Sequence, residues 1–269
     1  MKRLFTFGCS FTEYFYPTWA NILAYDLDIE SKNFAQAGIG NVGIFHRIVE
    51  ADFKFNFTED DYIFVFWSSW SREDRIKDFR WNTSGSVLRK DNSVYDLTFV
   101  KRYWDEVNDV VKNCTAIYSA SKMYNITHQA TAFDFYNNEN EDYIFIFSRN
   151  TDKQTTGNKT AIQKLYQSNI PKLQYIKADL KKTNVYNTGD IHPSVNEHIN
   201  IANEFSLSAF NRELNKDTKN IFLEIHNRII SLSKEVGYNH PKLGKETRSV
   251  INKEFPSVFC AYNNWEPFL

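Results

Sequence analysis

The chain has 269 residues, 42% hydrophobic and 16% aromatic, and its charges balance to a formal net charge of −1. That apolar content supports one large core or two small ones and excludes wholesale disorder. Without a basic field, nucleic acid and membrane surfaces are not expected as main partners.

Cys9, Cys114 and Cys260 are scattered, odd in number and without metal-ligand spacing, so neither a disulfide framework nor a zinc site is expected. No metal and no cofactor is called for. Met1-Lys2-Arg3 imitates the start of a secretion signal, but Gly8, Ser10, Thr12 and Glu13 interrupt the hydrophobic region that must follow. No apolar run has the length of a bilayer span. A reducing, cytoplasmic setting is expected, and the Asn-x-Ser/Thr triplets at Asn56, Asn113 and Asn158 are taken as chance matches.

Residues 3–7 predict a buried strand that ends at Gly8-Cys9-Ser10. Pro17 suits a first helical position, and Trp19, Ile22, Leu23, Tyr25 and Leu27 supply a helical face to about Asp28. Residues 30–35 predict a second strand leading into the glycine loop 36–41, and Ile44, Phe45, Ile48 and Val49 continue as a helix. Residues 62–67 form an unbroken apolar run, expected as a central strand buried on both faces. Strands alternating with helices argue for a parallel sheet with right-handed crossovers.

Residues 72–97 are polar and predict a long excursion over the sheet edge. A helical pattern spans 100–123, and 126–135 predict a fourth strand. Residues 143–147 fit either a strand or a helical turn; 158–167 predict a helix and 173–178 a strand. Ser194 and Glu197 match a capping box at the head of a helix striped by Val195, Ile199, Ala202, Phe205 and Ala209. One more helix is expected around 221–232, then a tail from 237 to 269. The expected organisation is a domain at 1–214 and a mostly helical C-terminal extension with a tail at 215–269.

Two stretches carry chemistry. A serine placed where a strand stops at the carboxyl end of a parallel sheet lies where open α/β folds bind ligands. A serine nucleophile needs a base in hydrogen-bond reach and an acceptor that fixes that base. Asp190 and His192, two residues apart in the loop 187–193, can supply both. In isolation each stretch has a plainer reading, Ser10 as a cap and Asp190-x-His192 as a turn. Cys9 is the other candidate nucleophile, but alternation along the strand turns it to the core. His46, His128 and His198 are expected to be structural. Gly38-x-Gly40-x-x-Gly43 fits most of a dinucleotide fingerprint, but no acidic residue follows at the right distance. Trp70, Trp81 and Tyr95 fit sugar stacking and a packed lid equally well.

Phe7-Gly8-Cys9-Ser10-Phe11-Thr12 resembles the first sequence block of the SGNH/GDSL hydrolase superfamily, nearest to bacterial and phage-encoded members with Gly-Cys-Ser-Phe there. Ala37-Gly38-Ile39-Gly40-Asn41 resembles the second block and Asp190-Ile191-His192-Pro193 the last. The resemblance covers about residues 3–212. It implies a flavodoxin-like three-layer α/β/α sandwich with a mainly parallel five-stranded sheet. It also implies ester hydrolysis with Ser10 as nucleophile, His192 as base and Asp190 orienting it, and oxyanion donors in the N–H groups of Ser10 and Gly38. The third-block Asn of the family is missing from Trp67-Ser68-Ser69-Trp70-Ser71-Arg72. Ser69 falls nearest to it, with Ser68, Asn41 and Arg72 as other donors, and Asp precedes His by two residues rather than three.

The expected substrate is a small acyl ester, including the O-acetyl group of a glycan. Acyl transfer is the variant of the same chemistry. The contrasting expectation, motivated by the missing Asn, is a weakly active or non-catalytic assembly module. It would dock or self-associate through the C-terminal extension, with virion association for a phage-encoded chain.

Overall fold

The computed structural model describes residues 2–77, 80–87, 95, 97–132, 169–170, 173–176, 186, 192–259 and 261–262. The expected elements at 143–147 and 158–167, and the residue Asp190, lie outside the described residues.

The central layer is built from β1 (Arg3–Gly8), β2 (Glu30–Asn33), β3 (Tyr62–Trp67), β6 (His128–Thr131) and β7 (Leu173–Tyr175), all paired in parallel in the order β7-β6-β3-β1-β2. This is the doubly wound, flavodoxin-like arrangement, in which the chain steps from β1 to one side and then crosses to the other. The two-residue β8 (Ala261–Tyr262) extends it as a sixth strand, parallel to β2. The remaining strands, β4 (Arg72–Lys77) and β5 (Arg80–Ser86), form a separate antiparallel hairpin.

Side-chain alternation explains the layers. Phe5 and Phe7 point to one face and meet Phe34 at 6.3 and 5.4 Å; Phe5 also meets Phe55, at the end of α2 (Asn41–Phe55), at 5.7 Å. Phe64 and Phe66 point to the opposite face. There Phe66 meets Trp19 of α1 (Trp19–Leu27) at 6.1 Å, and Phe205 of α5 (Val195–Phe210) touches both phenylalanines. The layer of α2 is completed by α4 (Glu106–Met123), and that of α1 and α5 by α6 (Lys216–Glu235). β3 is the central strand expected from its apolar run, and its Phe64 to Trp67 are fully buried.

Four expectations change. The helix of α1 begins at Trp19 with Thr18 as its cap, one residue after Pro17. The excursion at 72–97 contains the β4–β5 hairpin, hidden in the sequence because Arg72, Glu73, Asp74 and Arg75 give it no apolar alternation. The helical pattern at 100–123 is two helices, α3 (Leu97–Tyr103) and α4. The break falls at Asp105, whose Oδ1 accepts from the Asn108 N–H at 2.8 Å and caps α4. The expected tail contains a further helix, α7 (His240–Glu254), started by the Asn239 cap and Pro241. Its buried stripe is only Leu243, Thr247 and Ile251, too sparse to register as a pattern. Among the described residues no helix is long and apolar enough to cross a membrane.

Candidate active site

Ser10 follows β1 at the carboxyl edge of the sheet, beside the point where the strand order reverses. A tight turn holds it, with the N–H groups of Thr12 and Glu13 donating to the Cys9 carbonyl at 2.8 and 3.1 Å. Thr12 fixes the turn to α1 and β2. Its carbonyl accepts from the Thr18 hydroxyl at 2.7 Å and from Asn33 Nδ2 at 2.9 Å, and its hydroxyl accepts from Trp19 Nε1 at 3.2 Å. Gly8 is required by close approach, because a β-carbon there would collide with the Thr12 hydroxyl and lie 2.9 Å from the Phe66 carbonyl. Cys9 is fully buried among the core residues, as alternation along the strand predicts.

His192 stands just before α5, and its Nε2 is 2.9 Å from Ser10 Oγ. The expected capping box orders the chain behind it. The Ser194 N–H donates to Glu197 Oε2 at 2.7 Å, and Ser194 Oγ accepts from the Glu197 N–H at 3.4 Å. The Pro193 carbonyl accepts from the Tyr16 hydroxyl at 2.8 Å, and the Val195 N–H donates to the Tyr186 hydroxyl at 3.0 Å. The imidazole itself is stacked on Tyr14, with centroids 4.2 Å apart, and meets the edge of Phe11 at 5.8 Å.

The glycine loop follows β2. The Gln36 N–H donates to the Gly8 carbonyl at 3.1 Å, and Gly38 takes a φ of +81°. The hairpin grips this loop. The Thr83 hydroxyl donates to the Ala37 carbonyl at 2.9 Å, the Gly85 N–H to the Gly38 carbonyl at 3.2 Å, and Arg72 Nη1 to the Ile39 carbonyl at 3.2 Å. Among the described residues, neither the Ser10 nor the Gly38 N–H is donated to another protein group.

At the third block, Asn41 is committed to the backbone. Its Oδ1 accepts from the Ser68 N–H at 2.6 Å and its Nδ2 donates to the Ser68 carbonyl at 3.0 Å, both groups buried. Ser69 Oγ lies 3.2 Å from Ser71 Oγ, which is 2.9 Å from Ser86 Oγ on the hairpin. Arg72 serves the glycine loop through its bond to Ile39. Ser68 is buried, and its hydroxyl has no hydrogen-bond partner among the described residues.

The fingerprint glycines face a carboxylate of the chain itself. Asp74 Oδ2 accepts from the Gly40 N–H at 2.7 Å at the head of α2; a β-carbon on Gly43 would run into Asp74, and one on Gly40 into the Arg72 carbonyl of the same strand. The position where a dinucleotide phosphate would rest on a helix N-terminus is therefore filled. Burial raises the Asp74 carboxyl to about 6 against the opposing bonds from Gly40 and Gly43.

Among the other histidines, His128 is buried, with Nε2 3.0 Å from Gln174 Oε1, and His46 is exposed on α2. His198 is fully buried, and both its ring nitrogens lack hydrogen-bond partners among the described residues. Burial, with the charge of His192 adding to it, pushes it down to about 3, so it stays neutral beside His192. Tyr95 is buried with Val87 and Val100, and Trp70 stacks on Trp104 at 6.0 Å, so both rings take the packing role. The Trp81 side chain lies outside the described residues. Among the described residues no cluster of His, Cys, Asp and Glu could hold a metal ion. The contributions of Thr12, Tyr14 and Thr83 were not visible in the sequence, where each is an ordinary polar residue in a loop or on a polar strand.

No protein-family model matches the chain, and no curated protein matches it. Among solved structures it is similar to a member of the lipolytic protein G-D-S-L family from Veillonella parvula. That match has 14% identity and a TM-score of 0.43, over 79% of this chain and 100% of the other. It is also similar to a gut microbial diltiazem-metabolizing enzyme, at 14% identity and a TM-score of 0.41, over 78% of this chain and 46% of that one. A mutant of an acetyl-xylooligosaccharide esterase from Geobacillus gives 16% identity and a TM-score of 0.40, over 79% and 95%.

Proposed function

We propose that the protein is a serine ester hydrolase of the SGNH type, acting on small acyl esters through an acyl-enzyme on Ser10. The observation that carries this reading is the 2.9 Å separation of His192 Nε2 and Ser10 Oγ at the carboxyl edge of a parallel sheet.

In the proposed reaction Ser10 Oγ attacks the ester carbonyl carbon as its proton passes to His192 Nε2. The carbonyl electron pair moves onto oxygen and is met by the N–H groups of Ser10 and Gly38, which have no competing protein acceptor among the described residues. Collapse breaks the bond to the alcohol, which leaves with the proton from His192, and water then repeats the sequence to release the acid. A sugar hydroxyl in place of that water makes the same site an acyltransferase. Asp190 is assigned the role of orienting His192, from its place two residues earlier in the chain.

Without the third-block Asn, the hydroxyl of Ser69 is the side-chain donor proposed for the oxyanion, with the unpartnered hydroxyl of Ser68 as the alternative. Each such donor is worth about 10²–10³ in rate when removed. A hydroxyl is less firmly directed than an amide, so turnover is expected to be modest. The substrate favoured by the sequence resemblance is an O-acetyl ester of a glycan.

The test is turnover of an activated acetate ester by the purified protein beside its Ser10→Ala variant. Hydrolysis lost in the variant supports the reading. Turnover equal in both, or absent from both, contradicts it.

A further inference from the structure

His192 is held by more than its own loop. Its ring lies on the face of Tyr14, at 4.2 Å and an interplanar angle of 25°. Tyr14 is in turn held from the far end of the chain, since its hydroxyl is 3.0 Å from Nε2 of His240, the first residue of α7. The same helix makes two further contacts with this loop. His240 meets the Phe15 ring edge-on at 5.4 Å, and Arg248 Nη2 donates to the Tyr14 carbonyl at 3.4 Å. Between them Gly244 faces the Phe15 ring, which would lie 3.6 Å from a β-carbon at that position.

His240, Gly244 and Arg248 are spaced by four residues, so they form one stripe of α7. The buried stripe of Leu243, Thr247 and Ile251 runs beside it. One helix face thus anchors α7 in the fold, and the next is given over to Tyr14 and Phe15. The loop also holds the backbone next to His192, because the Tyr16 hydroxyl donates to the Pro193 carbonyl at 2.8 Å.

We propose that Tyr14 is a positioning residue for His192, and that His240 of α7 fixes Tyr14 in that role, which makes the C-terminal helix a working part of the site. An imidazole that hydrogen-bonds through Nε2 can still swing about its side-chain torsions. A ring packed flat on one face removes that freedom and keeps Nε2 aimed at Ser10. The aromatic face also suits the imidazolium formed when the proton moves, because its quadrupole presents negative charge to the cation. This role rests on the hydrolase reading only for its effect on rate; the ring stack is a physical claim of its own.

The experiment uses the full chain and the variants Tyr14→Leu, Tyr14→Phe, His240→Leu and the Tyr14→Phe/His240→Leu double. The first readout is the NMR shift of the His192 ring C–H protons, assigned by their loss in His192→Gln. A stacked Tyr14 places them under its ring current, so Tyr14→Leu moves them downfield while thermal unfolding shows the variant folded. The second readout is activated-ester kinetics. Tyr14→Leu is expected to lower kcat about tenfold with little change in KM, as misalignment of a reacting group does. Tyr14→Phe and His240→Leu each remove the same hydrogen bond. They are expected to lower kcat by about threefold alike, and the double variant by no more than either single one. His192 resonances unmoved in Tyr14→Leu, or multiplying effects in the double variant, overturn the proposal. A chain with no esterase turnover still answers through the resonances, so failure of the hydrolase reading is distinguishable from failure of this one.

Discussion

The hydroxyl of Thr83 donates to the carbonyl of Ala37 at 2.9 Å, on the peptide whose other end is the N–H of Gly38. In a trans peptide the C=O and N–H point in opposite directions, so the hairpin grips one side and turns the donor to the other. Thr83→Val removes the grip while keeping the shape of the side chain. One net hydrogen bond is worth about 1 kcal/mol, so kcat is expected to fall about fivefold with the fold intact. Steady-state kinetics on the activated ester check this, and an unchanged kcat would show that the Thr83 bond does not orient Gly38.

Asn41 replaces a missing strand partner for Ser68, through bonds of 2.6 and 3.0 Å to its N–H and carbonyl. Asn41→Ala leaves both backbone groups buried and unpaired, at a cost of about 2–4 kcal/mol. Urea unfolding is expected to show an earlier midpoint at an unchanged slope. A loss under about 0.5 kcal/mol, the range of ordinary surface substitutions, would contradict this role.

Gly8→Ala tests the packing around the nucleophile. Its methyl would meet the Thr12 hydroxyl and the Phe66 carbonyl, the second of which belongs to a central strand and cannot yield. A destabilisation of about 1–3 kcal/mol, the range for overpacking, is expected together with loss of ester turnover. A variant as stable and as active as the parent would show that the turn is not closely packed around Gly8.

Stability is expected to depend on pH through two buried carboxyls. Burial raises Asp74 to about 6 and Asp109 to about 7; the bond from Trp104 Nε1 to Asp109, at 2.6 Å, opposes the second shift. Each is harder to ionise folded than unfolded. Its contribution is therefore fully present below the ordinary 3.8 and is lost as pH rises through about 6 and about 7. Melting temperature, followed at fixed ionic strength from about pH 5 to 8, carries this downward component. Asp74→Asn and Asp109→Asn each flatten it. Equal slopes in the parent and both variants would refute the assignment.

The parts of the fold visible in the sequence are those with a strong apolar period. The run from Tyr62 to Trp67 and the strand ending at Gly8 placed the centre of the sheet, and Ser194 with Glu197 marked the head of α5. The hairpin was hidden because Arg72 to Arg75 are charged and are stabilised by the loop they cover rather than by alternation. α7 was hidden because its second face packs aromatic loop residues through His240, Gly244 and Arg248 instead of aliphatic ones. At the site, Ser10 and His192 were legible as residue types in order, and the structure brings them to hydrogen-bond distance across 182 residues. Tyr14 and Thr83 were not, because their roles are defined only by what the fold places beside them.

The most direct measurement of the central claim is covalent labelling by a fluorophosphonate, read by intact mass and peptide mapping. One adduct on Ser10 is predicted, absent from Ser10→Ala and slowed by about a thousandfold or more in His192→Ala. Labelling elsewhere in the chain, or at the same rate without His192, would contradict the account.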